Sequence, residues 1–290
     1  MRWLGSRMTR YGPPITFQME GAVLQAFDFT NRTVFIAGGT SGINLGIADA
    51  FAEAGARLAV ISRSQERVES AKRLLSRFGR EAIGISADVR NVEATAAALQ
   101  EVHRVFGDID VLVSGAAGNF PCSALGMSSN GFKTVVDIDL LGTFNVLRSA
   151  HAFLRKPGAA VINISAPQAF IPLPMQAHVC AAKAGVDMLT RVLAIEWGAD
   201  GIRLNSVIPG PIAETEGVAR LAATDHARDV VLRGVPLGRL GTKQDVANLV
   251  LFLASPWAGY ISGCVIPVDG GWSANGTGGF AEALTSSASR

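Results

Sequence analysis

Val34-Phe35-Ile36-Ala37-Gly38-Gly39-Thr40-Ser41-Gly42-Ile43-Asn44-Leu45-Gly46-Ile47-Ala48 is the stretch whose reading decides the fold. Val34 to Ala37 is a short apolar run of the kind seen in a buried strand. Glycine-rich residues follow, and then a helical apolar pattern opens through Leu45, Ile47 and Ala48 to Phe51. Strand, glycine-rich turn and helix together receive a phosphate. Glycine lets the backbone approach the ligand, and the helix's unpaired N–H groups and positive dipole end face the anion. Gly38, Thr40, Ser41, Gly42, Ile43 and Asn44 are the expected contacts. An ordinary tight turn would use similar residues, so the rest of the chain has to decide.

Working outward, residues 31–36, 57–62, 82–86, 109–113, 160–164, 203–207 and 264–268 read as seven short, apolar, β-branched strands. Helical patterns lie between them at 45–54, 65–78, 92–106, 130–153, 177–197 and 243–253. Strands alternating with helices at this spacing imply right-handed crossovers. The expected fold is therefore α/β, one doubly wound parallel seven-stranded sheet with helices on both faces, spanning residues 28–272. No linker or composition break interrupts it.

Composition narrows the function. The chain has 290 residues, 49% of them hydrophobic, which supplies a large core, and a net charge of +2. Only 17% of residues are charged, which fits a surface partly taken up by oligomer contacts. No basic stripe with interleaved aromatics appears, so nucleic acid is not an expected partner. Cys122, Cys180 and Cys264 are far apart and form neither a disulfide framework nor a metal-ligand set, and His103, His151, His178 and His226 add no metal spacing. A reducing compartment is expected. No apolar run reaches the roughly 20 residues that a membrane helix needs. Residues 1–27 read as an N-terminal extension packed on the domain, or as sequence upstream of a start at Met8 or Met19. Residues 273–290, rich in Gly, Ala and Ser, read as a mobile tail.

In a doubly wound sheet the ligand sits beyond the carboxyl ends of the strands, so the residues ending each strand are informative. The second strand ends in Ser62-Arg63. An acid there would bind the 2′-hydroxyl of an NAD ribose, whereas Ser62 and Arg63 can hydrogen-bond and neutralise a 2′-phosphate. NADP(H) is the expected cofactor. Asp88 is placed to accept from the adenine amino group, with Val89 against the ring. Ser114, Gly115, Ala116, Ala117 and Gly118 are small enough for backbone to pass close to the adenosine ribose.

Ala37 to Asn44, Asp88-Val89, Ser114 to Gly118, Asn163 to Ser165, Lys183, Asn205 to Ile212 and Val268 to Trp272 together resemble the short-chain dehydrogenase/reductase family. The resemblance covers nearly the whole of 28–272. It implies a Rossmann fold, a nicotinamide cofactor and a homotetramer. It further implies that Ile164, Pro209 and Gly210 border the nicotinamide and that Ile212 holds the carboxamide through its backbone. Thr215 would approach the nicotinamide-side phosphate, and Lys183 would hydrogen-bond the ribose. The family's TGxxxGIG departs here to Ala37 and Asn44. Asn tolerates unusual backbone angles, and its amide could donate to a phosphate or ribose.

The family's carbonyl reductases use Ser, Tyr and Lys, with the Lys lowering the Tyr pKa so that the phenol can transfer a proton. Lys183 is present, but Val179 stands four residues before it and Ala166 replaces the serine. Residues 116–120, 132–146, 177–191 and 209–217 resemble instead the 2,4-dienoyl-CoA reductases, the peroxisomal type in particular, which also lack the Tyr. That resemblance implies hydride addition from NADPH to a conjugated dienoyl thioester, with charge collecting on the thioester oxygen as a dienolate. It assigns the oxyanion contact to Asn119. It pairs Asp139 with Lys183 through a water that supplies the proton, and places Gln168 as a second oxyanion donor. His178 would be either a proton relay or a satisfied structural histidine. Residues 213–235 would form the substrate lid, with Val218, Leu221, Val230, Val231 and Leu232 suited to an acyl chain or to packing. The implied home is a bacterial cytoplasm or, in a eukaryote, the peroxisome. Two alternatives stay open: a reductase of another activated carbonyl, of 3-oxoacyl type, and an inactive NADP-binding protein.

Overall fold

The computed structural model describes residues 27–79, 81–221 and 224–276. Seven strands, β1 (Thr33–Ala37), β2 (Arg57–Ser62), β3 (Ala82–Ser86), β4 (Val111–Ser114), β5 (Ala160–Ile164), β6 (Arg203–Pro209) and β7 (Val265–Val268), form one sheet. Their order is β3-β2-β1-β4-β5-β6-β7, with parallel register throughout. The chain turns from building leftward to building rightward between β1 and β4, and ligands of such sheets gather beyond that switch point. All five residues of β1 are buried, as they are in β5, because helices cover both faces.

One face carries α1 (Gly42–Glu53), α2 (Gln65–Leu75) and α9 (Lys243–Ala254), packed around Phe51, Ile47, Val246 and Val250. The other carries α3 (Val92–Phe106), α4 (Ser129–Val136), α5 (Gly142–Ala150) and α6 (Ala177–Glu196), with Leu99, Val102 and Leu147 in its core. Two short helices, α7 (Glu216–Leu221) and α8 (Asp225–Arg233), follow β6.

Element positions match the sequence reading to within a few residues, with one consequential exception. The expected single helix over 130–153 is interrupted by a π-helical turn at Asp137–Leu141, between α4 and α5. A π turn inserts one extra residue and rotates the following side chains, and such turns recur at functional sites. Here it buries Ile138 and Asp139 together, with Thr143 Oγ1 donating to the Asp139 carbonyl at 2.7 Å. A hydrophobic period cannot show an inserted residue, because the pattern resumes one position later.

Ser273 and Asn275, at the start of the expected tail, are tied to the domain. Ser273 N–H donates to the Asp269 carboxylate at 2.8 Å, and Asn275 Nδ2 to the Gly234 carbonyl at 3.1 Å, so these residues belong to the domain. Residues 1–26 and 277–290, and with them most of the expected extension and tail, lie outside the described residues, as do the side chains of Val218 and Leu221.

Candidate active site

The glycine-rich turn works by close approach. A side chain at Gly38 (φ +77°) would place its Cβ 2.9 Å from the Ala116 backbone, so the turn after β1 can lie against the loop after β4 only as glycine. α1 opens at Gly42 (φ +56°), and Ser41 at its N-cap makes no side-chain cap, which leaves first-turn N–H groups facing the recess. Thr40 is buried beside them, while Ile43 packs half-buried against the core and offers only backbone.

The same recess is walled by Ser62 and Arg63 on one side, Asp88 and Val89 on another, and Gly115, Ala116 and Ala117 opposite. Arg67, in the first turn of α2, also lines it. A dinucleotide carrying a ribose phosphate fits these groups: backbone N–H donors, glycine clearance and two guanidinium groups without an acid on β2.

Two of the expected contact residues are already engaged within the protein. Asp88 is engaged by Arg90, whose guanidinium reaches its Oδ2 at 2.6 Å. The Arg90 side-chain hydrogen bond holds the Asp88 carboxyl below its ordinary range. Asp88 therefore anchors its own turn. Asn44, expected to donate to phosphate or ribose, is buried and donates from Nδ2 to the Gly115 carbonyl at 2.7 Å.

Further along the crevice, Lys183 from α6 and Asp139 from the π turn meet directly. Lys183 Nζ lies 3.3 Å from Asp139 Oδ2, at side-chain exposures of 7% and 1%. Expected to share a water, the two side chains stand at ion-pair distance from each other. The pair is held at both ends: Gly118 N–H donates to Asp139 Oδ1 at 2.7 Å, and Lys183 Nζ donates to the Ile164 carbonyl at 3.1 Å. The Lys183 contact to Oδ2 is electrostatic, without hydrogen-bond geometry, which leaves that oxygen able to accept elsewhere.

Asn119 follows Gly118 on the same loop and is half-buried. Val179 is 3% exposed on α6, one turn before Lys183, and Ala166 follows the buried Ser165 after β5. No phenol or hydroxyl therefore stands at either proton-transfer position. Gln168 sits half-buried on the short turn Pro167–Ala169 and makes no hydrogen bond among the described residues. His178 is fully buried with its ring edge against Phe120, centroids 4.5 Å apart, and neither ring nitrogen has a hydrogen-bond partner among the described residues.

Asp187, one turn after Lys183 on α6, was missed, although i+4 spacing puts both on one face. It is buried, and that burial pushes its carboxyl pKa up.

On the nicotinamide side, a Cβ at Gly210 would meet Asp269 at 2.6 Å, so β6 can end close against the end of β7 only through Pro209-Gly210. Gly241 N–H donates to the Pro211 carbonyl at 2.9 Å and Ala213 N–H to the Gly241 carbonyl at 2.8 Å, which turns the Ile212 backbone the other way. Thr215 Oγ1 donates to the Ile212 carbonyl at 2.7 Å and so braces that turn.

A parallel sheet in this order, a glycine-cleared phosphate turn and a lysine on the helix after β5 define a nicotinamide-dependent oxidoreductase. The chain belongs to the short-chain dehydrogenase/reductase family. Residues 37–273 match the family model described as enoyl-(acyl carrier protein) reductase. It is 46% identical over 243 residues to the peroxisomal 2,4-dienoyl-CoA reductase of Rattus norvegicus, 83% of each chain. It is 39% identical to the corresponding Saccharomyces cerevisiae protein, covering 84% of each. Both are named as producing (3E)-enoyl-CoA. Among solved structures, a short-chain dehydrogenase from Bacillus anthracis superposes with a TM-score of 0.75 at 36% identity, covering 83% of this chain and 96% of that one.

Proposed function

We propose that the protein is an NADPH-dependent reductase of conjugated enoyl and dienoyl thioesters, acting on 2,4-dienoyl-CoA. The observation that carries this is the buried Asp139–Lys183 pair beside Asn119, in a site with Val179 and Ala166 where a carbonyl reductase needs a phenol and a hydroxyl. The relatives' substrates support the same reading.

NADPH, which Arg63 and the glycine-rich turn would hold at one end and Lys183 and the Ile212 backbone at the other, would supply the hydride. Delivered to C5 of the dienoyl chain, the hydride's electron pair displaces charge through the conjugated system to the thioester oxygen. The Asn119 amide, with Gln168 as second donor, stabilises that oxygen, and neutral donors aimed at developing charge are usually the largest catalytic contribution. Asp139 Oδ2 and Lys183 hold the water that gives a proton to C2, leaving the double bond between C3 and C4. Lys183 also takes the nicotinamide ribose, consistent with its bond to the Ile164 carbonyl.

The protein acts as a homo-oligomer, a tetramer by the family pattern. Met188, Val192 and Ile195 recur at i, i+4 and i+7 on α6 with exposures of 56%, 42% and 82%, an apolar stripe that expects a cover.

The test compares NADPH oxidation with 2,4-hexadienoyl-CoA and acetoacetyl-CoA, with the first product identified by NMR. Turnover of the dienoyl thioester to a 3-enoyl product is expected. Activity on the keto substrate alone refutes the assignment, and cofactor binding without turnover of any conjugated thioester points to an inactive binding protein.

A further inference from the structure

Asn44 occupies a position in the phosphate turn where its family pattern has glycine, and its side chain points at the loop after β4. Its Nδ2 donates to the Gly115 carbonyl at 2.7 Å, and the residue is 9% exposed. The space it takes is space that position 115 gives up. A Cβ built at Gly115 would lie 2.3, 2.5 and 2.6 Å from Asn44 Oδ1, Nδ2 and Cγ, distances no real Cβ adopts. Those three are its nearest neighbours, and Gly115 does not have a positive φ, so the obstacle to a side chain there is Asn44 itself.

The loop that Asn44 grips is functional along its whole length. Gly115 to Ala117 wall the dinucleotide recess. Gly118 N–H, three residues on, donates to Asp139 Oδ1 at 2.7 Å, and Asn119 comes next. The loop is thus fastened at one end by Asn44 and at the other by Asp139. A loop of short side chains has few apolar contacts of its own to order it, so polar fastenings decide how far it is preformed.

We infer that Asn44 is a positioning residue: it latches the loop after β4 to the glycine-rich turn, preforming the dinucleotide wall, and Gly115 is glycine because of it. The inference rests on the NADPH reading above for its binding readout only. The alternative is that the two act independently, Asn44 by donating to the cofactor and Gly115 by giving the cofactor clearance.

A double-mutant cycle separates the two. Asn44→Ala removes all three obstructing atoms and keeps the helix, and NADPH affinity, read by fluorescence titration, should fall about tenfold for one lost hydrogen bond. Gly115→Ala alone should also cost about tenfold, because the Asn44 amide must swing out of its bond, and Asn44→Ala/Gly115→Ala should stay within about threefold of Asn44→Ala, because the clash has gone. Gly115→Ala failing to fold while the double variant folds and binds shows the same dependence. The inference is overturned if the two losses multiply, if Asn44→Ala keeps full affinity, or if the double variant fails to fold while Asn44→Ala folds. Should the unaltered protein not bind NADPH, the cofactor reading fails, and the latch is then decided by the melting temperatures of the same four proteins.

Discussion

Asp139→Asn separates a catalytic pair from a structural one. The substitution keeps the side chain's size and an oxygen for the Gly118 N–H, which lies 2.7 Å from Oδ1. It removes the charge facing Lys183 at 3.3 Å. Two unit charges at that distance attract by about 5 kcal/mol at an effective dielectric of about 20. Desolvation of both groups offsets much of this, and removing one member of a buried pair costs roughly 3–5 kcal/mol because the other is left uncompensated. Lys183 retains the Ile164 carbonyl at 3.1 Å, so the lower end of that range is expected as lost stability. The effect on turnover should be larger than on binding. Loss of the group that organises proton delivery lowers kcat by about 10²–10⁴-fold, while NADPH affinity should change far less, because Lys183 keeps its anchor on the Ile164 carbonyl. NADPH titration and single-turnover oxidation with 2,4-hexadienoyl-CoA, both well below the variant's melting temperature, measure the two separately. Equal losses in affinity and turnover, or unchanged turnover, would refute the catalytic role and leave a structural ion pair.

Asn119→Ala should lower kcat/KM for the dienoyl thioester by about 10²–10³-fold through loss of an oxyanion donor, and retained activity in steady-state assays removes that role. Arg63→Ala should weaken NADPH by about tenfold or more and leave NADH almost unchanged, since the guanidinium would meet only the 2′-phosphate; paired titrations with the two cofactors decide it. Asp187→Asn bears on stability against pH. Burial raises the folded-state pKa of Asp187 above the ordinary 3.8, so the native protein holds this proton longer than the unfolded chain does. Native stability from this group is therefore greatest in acid and falls as pH rises from about 3.8 through the raised value. The Asn variant lacks that fall. Its melting temperature relative to the unaltered protein should climb with pH across the window and level off above it, and a constant or declining difference contradicts the account.

Much of the molecule was legible in the sequence because it depends on local chemistry. Strand and helix positions follow from apolar period and glycine punctuation, and β3, α3 and β5 appear at their expected bounds. Which strand ends border the recess follows from the parallel α/β order, so Ser62, Arg63 and Gly115 to Ala117 could be named in advance. The absence of a proton-donating residue at Val179 and Ala166 is likewise a matter of identity at known spacing.

Only tertiary structure decided what the polar side chains touch. Asp88 reads as an adenine ligand, and only the structure shows that Arg90, two residues away, also holds its carboxylate. Asn44 looked like a phosphate donor, yet its partner is Gly115, 71 positions along the chain. Asp139 was expected to have a cationic partner, but direct contact depends on a π turn whose extra residue leaves no trace in the hydrophobic period. The physical reason is common to all three. Backbone hydrogen bonding and apolar burial are summed over many residues and survive local irregularity, so composition and period record them. A hydrogen bond or ion pair is made or lost over less than an ångström, and that distance is set by how distant segments pack.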